Sequence, residues 1–223
     1  HWASTSGGCF ALYAPLVAAA WLSVRAHKVR RGVLLLAVLL FITSCSTTKL
    51  APYNFDLWRF WHHDEVENFT QYLESQHLSA VLPISQLLRS ASSWEQCNAE
   101  PFAVPPQQQW EAVASVLRLL QFLESSGVLS GHIVVYSGYR NPTLNACAGG
   151  AVGSAHARSF ALDIRVLGSV GAAEALCNFW RMKGKEWNMG FSIYPTGRIH
   201  IDTAGYRTWG YDHTGKSAVC SAA

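Results

Sequence analysis

The strongest constraint on the fold lies in two short stretches. Ser154-Ala155-His156 is followed by Ala161-Leu162-Asp163, and much later comes His200-Ile201-Asp202-Thr203. His156, Asp163 and His200 together offer two imidazoles and a carboxylate. That is a ligand set for zinc with one coordination position left for water. His156 and Asp163 are separated by six residues, and His200 has to arrive from a distant strand. A site of this kind points to chemistry on a bond.

The surrounding sequence places these residues. Ile133–Tyr136 is β-branched and apolar and reads as a strand. Ser137-Gly138-Tyr139-Arg140-Asn141-Pro142 stops it, and Gly149, Gly150 and Gly153 mark a loop before His156. Ala161–Val166 reads as the next strand and Arg198–Thr203 as another. Side chains alternate along a strand, so His200 and Asp202 share a face.

Ser-Gly-Tyr-Arg at 137–140, Ser-x-His at 154–156, Ala-x-Asp at 161–163 and His-x-Asp-Thr at 200–203 resemble the zinc D-Ala-D-Ala carboxypeptidases, a family with the Hedgehog/D,D-peptidase-like fold. The resemblance runs from about Gln107 to Trp209. It implies that His156, Asp163 and His200 hold one zinc ion. It also implies that Arg140 orients substrate and stabilises developing negative charge, and that Ser154 lines the substrate pocket. The chain departs from the family pattern twice. Ser159 stands where a Gly usually follows the first His by three residues. Gly197 stands where many members carry an acidic general base, three residues before the last His. Asp202, on the strand face of His200, and Glu186, in a nearby loop, are the two candidates for that base. His27, His62, His63, His77, His132 and His213 read as ordinary surface or satisfied histidines.

The N-terminal part speaks to location. Residue 1 is not Met, which suggests an extended reading frame or a fragment. Lys28, Arg30 and Arg31 precede the apolar run Val33–Ile42, which is short for a membrane span and suits an export signal. Ile42-Thr43-Ser44-Cys45 resembles a bacterial lipobox, which implies lipidation at Cys45 and a mature protein held at the membrane on the periplasmic side. The apolar stretch Phe10–Leu22 has no assigned role. Four of the 17 basic residues (Arg25, Lys28, Arg30, Arg31) precede Cys45, as does none of the 14 acidic ones. The remainder, with 13 basic and 14 acidic residues, has no excess charge with which to hold nucleic acid. Cys97, Cys147, Cys177 and Cys220 follow Cys45, an even number that suggests two disulfides in an exported protein, with three pairings possible.

Three segments are expected: a leader over 1–44, a lipid tether and helical region over 45–106, and a zinc peptidase-like domain over 107–223. Asn54–Leu73 is predicted helical, with its aromatics in a core, and Leu78–Arg89 continues as a second element. Val113, Val116, Leu117, Leu120 and Leu123 make an apolar stripe in a helix over Gln107–Ser125, which Gly127 ends. Ala172–Arg181 is a further helix, and Gly190–Tyr194 a strand. Helices with a few strands give an α+β fold in which a small antiparallel sheet carries the zinc site. The family resemblance implies a zinc peptidase that hydrolyses D-Ala-containing peptidoglycan stem peptides; the lipobox adds a lipid anchor, and a monomer is expected. Cleavage of a cross-link, or a zinc-binding but inactive envelope module, are the alternatives.

Overall fold

The computed structural model describes residues 54–210 and 212–220. The expected leader, the lipobox with Cys45 and the tether over 46–52 lie outside the described residues. The helices are α1 (Phe55–Trp61), α2 (His63–Ser75), α3 (Ile84–Leu87), α4 (Trp110–Ser125), α5 (Pro142–Cys147) and α6 (Ala172–Lys183). The strands are β1 (His132–Ser137), β2 (Ala161–Leu167), β3 (Gly190–Ile193), β4 (Ile199–Asp202) and β5 (Arg207–Trp209). They form one sheet in the order β1-β2-β4-β3-β5. The fold is α+β. The pairings β1–β2, β2–β4 and β3–β4 are antiparallel, and β3–β5 is parallel, so the sheet is mixed at one edge.

The helical N-terminal region is less continuous than its aromatic pattern predicts. Asn54 caps α1 by accepting the Leu57 N–H at 3.1 Å. The chain then leaves helical geometry at His62 and restarts as α2. Val66, Phe69 and Leu73 of α2 face the core at helical spacing. His77 takes a left-handed conformation, and the Leu78 N–H reaches back to the Leu73 carbonyl at 2.8 Å, closing α2. Leu78–Arg89 is not one element. Pro83 has no N–H and restricts the residue before it, so only the four residues of α3 that follow it are helical.

Helix α4 buries Ala112, Val113, Val116, Leu117, Leu119, Leu120 and Leu123, and Gly127 stands in the left-handed region just past its end. One continuous core joins α2 and α4 to Ile133, Val135, Leu162, Ile164, Phe191, Ile199 and Ile201 of the sheet. Alternation leaves Asp163, His200 and Asp202 on the opposite face. Two disulfides form among the four cysteines, Cys97–Cys147 and Cys177–Cys220, with Cα separations of 5.8 and 5.6 Å.

Candidate metal centre

Register brings the predicted residues together. Asp163 of β2 lies directly opposite His200 of β4, so the two side chains project side by side from one face. His156 arrives from a short 3-10 turn (His156–Arg158). That turn leaves through Ser159, which has a left-handed φ of 62°. The family's usual Gly at this position thus has a conformational reason, and here Ser159 adopts the conformation with its hydroxyl bonded to Gln109 at 2.6 Å. Gly197 has a similar reason. It sits at φ 76° in the tight turn between β3 and β4, its N–H bonded to the Tyr194 carbonyl.

His156 Nε2, Asp163 Oδ1 and His200 Nδ1 converge. The separations are 3.2 Å from His156 to Asp163, 2.9 Å from His200 to Asp163 and 3.2 Å between the imidazoles. All three residues are buried. Each imidazole is fixed from behind. His156 Nδ1 donates to the Gly138 carbonyl at 2.7 Å. His200 Nε2 donates to Asp202 Oδ2 at 2.9 Å. The His156 hydrogen is therefore on the outer nitrogen, and with the His200 hydrogen on Nε2 the inner nitrogens of both rings turn lone pairs toward a carboxylate oxygen; without a cation, His200 Nδ1 can instead carry a proton to Asp163 at 2.9 Å. Three acceptors facing one another in a buried space call for a cation, and two His and one Asp are a fitting donor set for zinc. The group could hold a metal ion.

The electrostatics agree. Burial holds the His156 imidazole below its ordinary pKa. Burial alone would raise Asp163, but the neighbouring His156 and His200 outweigh it and hold the carboxyl well below the usual range. For His200, burial is outweighed by bonds to Asp163 and Asp202, so its pKa rises. A proton and a metal cation thus compete for the same space.

Arg140 is at the centre. Its Nη2 donates to Asp163 Oδ2 at 2.6 Å and its Nε to Ser137 Oγ at 2.7 Å. A β-bulge in β1 between Val135 and Ser137 sets Ser137 opposite Asp163 and aims this turn at the ligands. Ser154 lies beside them, its Oγ accepting the His156 N–H at 3.2 Å.

The two candidate bases are placed differently. The Asp202 carboxylate is fully buried behind His200. It also accepts from Arg207 Nη1 and Nη2 at 2.9 and 2.8 Å and from the Ala204 N–H at 2.8 Å. Burial would raise its pKa, but the His200 bond and Arg207 hold it below the ordinary value. Glu186 stands in the exposed turn after α6, paired with Lys183 at 3.1 Å, and is not brought to the metal centre.

A cleft of about 650 Å³ opens over the group, walled by Ala91–Ser93 and Ala148–Ser154. Arg140, Arg158, Arg198 and Arg207 line it. Asp163 is the one carboxylate among the described lining residues. Tyr194 and His213 line it too. His213, ordinary by sequence, is thereby placed on the cleft wall. Burial, then Asp163, pushes the Tyr194 phenol up, so it keeps its proton. Sequence reasoning missed three further contributors. Arg207 and Trp209 come from β5, and Trp209 packs edge-on against His200 at 5.0 Å. Gly190 lies opposite Asp202, where an added Cβ would come within 2.1 Å of the carboxylate. A three-residue strand has no periodicity to read, and nothing in the local sequence marks Gly190 as a contact.

The model of the Peptidase M15 family matches residues 86–202, just over half of the chain. No curated protein and no solved structure matches it. The match spans every residue of the candidate metal centre and agrees with the resemblance carried by the four short motifs.

Proposed function

The chain belongs to the peptidase M15 family, and from that premise we propose that it is a lipid-anchored zinc peptidase of the bacterial envelope that removes D-Ala from peptidoglycan stem peptides. The observation that carries this reading is the convergence of three buried acceptor atoms, from His156, Asp163 and His200, on the floor of an arginine-lined cleft. The chemistry that bound zinc supplies is Lewis acidity toward a water and a scissile carbonyl. The remaining tasks fall to the chain's own groups. Arg140, steadied by Ser137 and Asp163, presents its guanidinium to a substrate carboxylate or a developing oxyanion. Ser154 lines the subsite beside it. The protonated Tyr194 phenol donates a hydrogen bond into the cleft. Of the side chains that line the cleft, His213 is assigned the proton from the attacking water. Asp202 orients His200 and is not the base.

A free C-terminal carboxylate suits a cleft with four arginines and one carboxylate. Arg158 and Arg198 extend the positive lining beyond Arg140, and this favours a second reading in which a cross-link, with its additional carboxylates, is cut. Purified protein should contain about one zinc per chain, with His156→Ala and His200→Ala depleted, and should release D-Ala from wall fragments read by mass spectrometry. Cleavage of cross-linked dimers without D-Ala release would favour the second reading. Zinc retention with no cleavage would leave a binding module. Equal zinc in wild type and both variants would sink the ligand assignment. Lipidation is tested apart from catalysis: labelled palmitate should enter the wild type and not Cys45→Ser.

A further inference from the structure

Helix α1 is apolar on two opposite sides. Phe55 and Trp58 pack inward on Phe102, with ring centroids 5.1 and 5.5 Å away. Leu57, Phe60 and Trp61 stand at i, i+3 and i+4, so they form one stripe along the other side. That stripe is in the open: Leu57 is 43% exposed, Phe60 70% and Trp61 76%. Phe60 and Trp61 pack edge to face at 5.2 Å, making one continuous aromatic surface. A single buried apolar stripe is enough to seat a surface helix on its core, so a second apolar stripe on the other side calls for a second contact. Contiguous exposed apolar side chains mark a contact surface, whereas single ones do not.

The sequence just before α1 says what covers it. The apolar run Val33–Ile42 and Cys45 precede the helix, and the chain from Cys45 to Leu57 can extend at most about 40 Å. Trp favours the headgroup level of a bilayer, and helices that lie in that layer carry Trp, Phe and Leu on their apolar face. Among the described residues no helix is long and apolar enough to cross a membrane, so the contact would be one that lies on the surface. Arg59 pairs with Glu67 at 3.7 Å, His62 lies within 3.3 Å of Glu100 and 3.5 Å of Glu65, and the exposed Asp56 adds a further carboxylate, so this part of the molecule has no excess of positive charge. The recognised feature is therefore the apolar interface and not an anionic headgroup.

We infer that the Leu57–Phe60–Trp61 stripe of α1 is a membrane-docking surface that seats the domain on the bilayer to which Cys45 tethers it. The reach argument rests on the lipidation reading, while the exposed stripe stands on its own.

The full chain is reconstituted in phosphatidylcholine vesicles, with ordinary or brominated acyl chains, and Trp fluorescence of the wild type is compared with that of Trp61→Phe. The difference between the two spectra is the emission of Trp61. Brominated lipid should quench that difference at least about twofold, and Leu57→Asp with Phe60→Asp should abolish the effect. Palmitate labelling of the same preparations keeps the two ideas apart. Quenching of Trp61 without label on Cys45 upholds docking and removes lipidation. Label on Cys45 with unquenched Trp61 overturns docking. Trp61 emission that ignores bromine but shifts on dilution also overturns it, in favour of a contact between two copies of the chain.

Discussion

Asp202 carries a charge next to a catalytic-type group without reaching the cleft. Its oxygens are taken by His200, Arg207 and the Ala204 N–H. A base and an orienting carboxylate fail differently. Loss of a base costs turnover with metal retained, whereas loss of the outer partner of a ligating His weakens metal binding about 10- to 100-fold. Asp202→Asn is therefore expected to raise the zinc dissociation constant by that factor, read by competition with a chelating dye, and to regain activity in excess zinc. Glu186→Gln should change neither, since it removes an exposed ion pair with Lys183. Gly190→Ala is expected to imitate Asp202→Asn, because the new methyl would occupy the space of the Asp202 carboxylate. Unaltered zinc affinity in Gly190→Ala would show that the carboxylate has room to move. The Gly197 departure follows from backbone geometry, since its left-handed φ favours Gly and would strain a Glu, whereas Ser159 adopts a left-handed φ in spite of its side chain.

At the scale of elements, the cleft is a product of two loops and one strand edge. Its walls, Ala91–Ser93 and Ala148–Ser154, flank the two ends of the Cys97–Cys147 disulfide. That bond ties the segment before α4 to the end of α5. Cys97→Ser with Cys147→Ser is expected to destabilise the domain by roughly 2–5 kcal/mol, measured as a lower denaturant midpoint, and to raise KM more than it lowers zinc content. The ligands ride on β2, β4 and the turn at His156, which the bond does not cross. Unchanged KM would mean that the walls hold without it. Strand β5 shows what a short element contributes, since its three residues deliver both Arg207 and Trp209 to the back of His200.

Over the whole molecule, buried carboxylates govern the response to acid. Asp163 and Asp202 both have pKa values held below the ordinary 3.8. A depressed folded pKa means that each contributes stability above the unfolded value, and that this contribution is lost as pH falls through the folded one. Metal-free protein should thus weaken progressively below about pH 4, and urea midpoints measured across that range should fall in wild type and less steeply in Asp202→Asn. A flat profile would show that the two carboxylates are equally well placed in the unfolded chain. Much of this molecule was legible beforehand. The strands over β1, β2, β3 and β4 and the stripe of α4 follow from alternation and helical period, properties of neighbouring residues, while the trio His156, Asp163 and His200 is singled out by ligand chemistry together with the resemblance to the family's motifs. The break at His62, the short α3 after Pro83, the parallel β5 and the pairing of the cysteines depend on which distant segments pack together. So does the division of labour among carboxylates. Asp202 and Glu186 are chemically alike as sequence, and only the packed chain turns one toward His200 and leaves the other beside Lys183 in water, because burial and partners are set by contacts across the fold and not by local sequence.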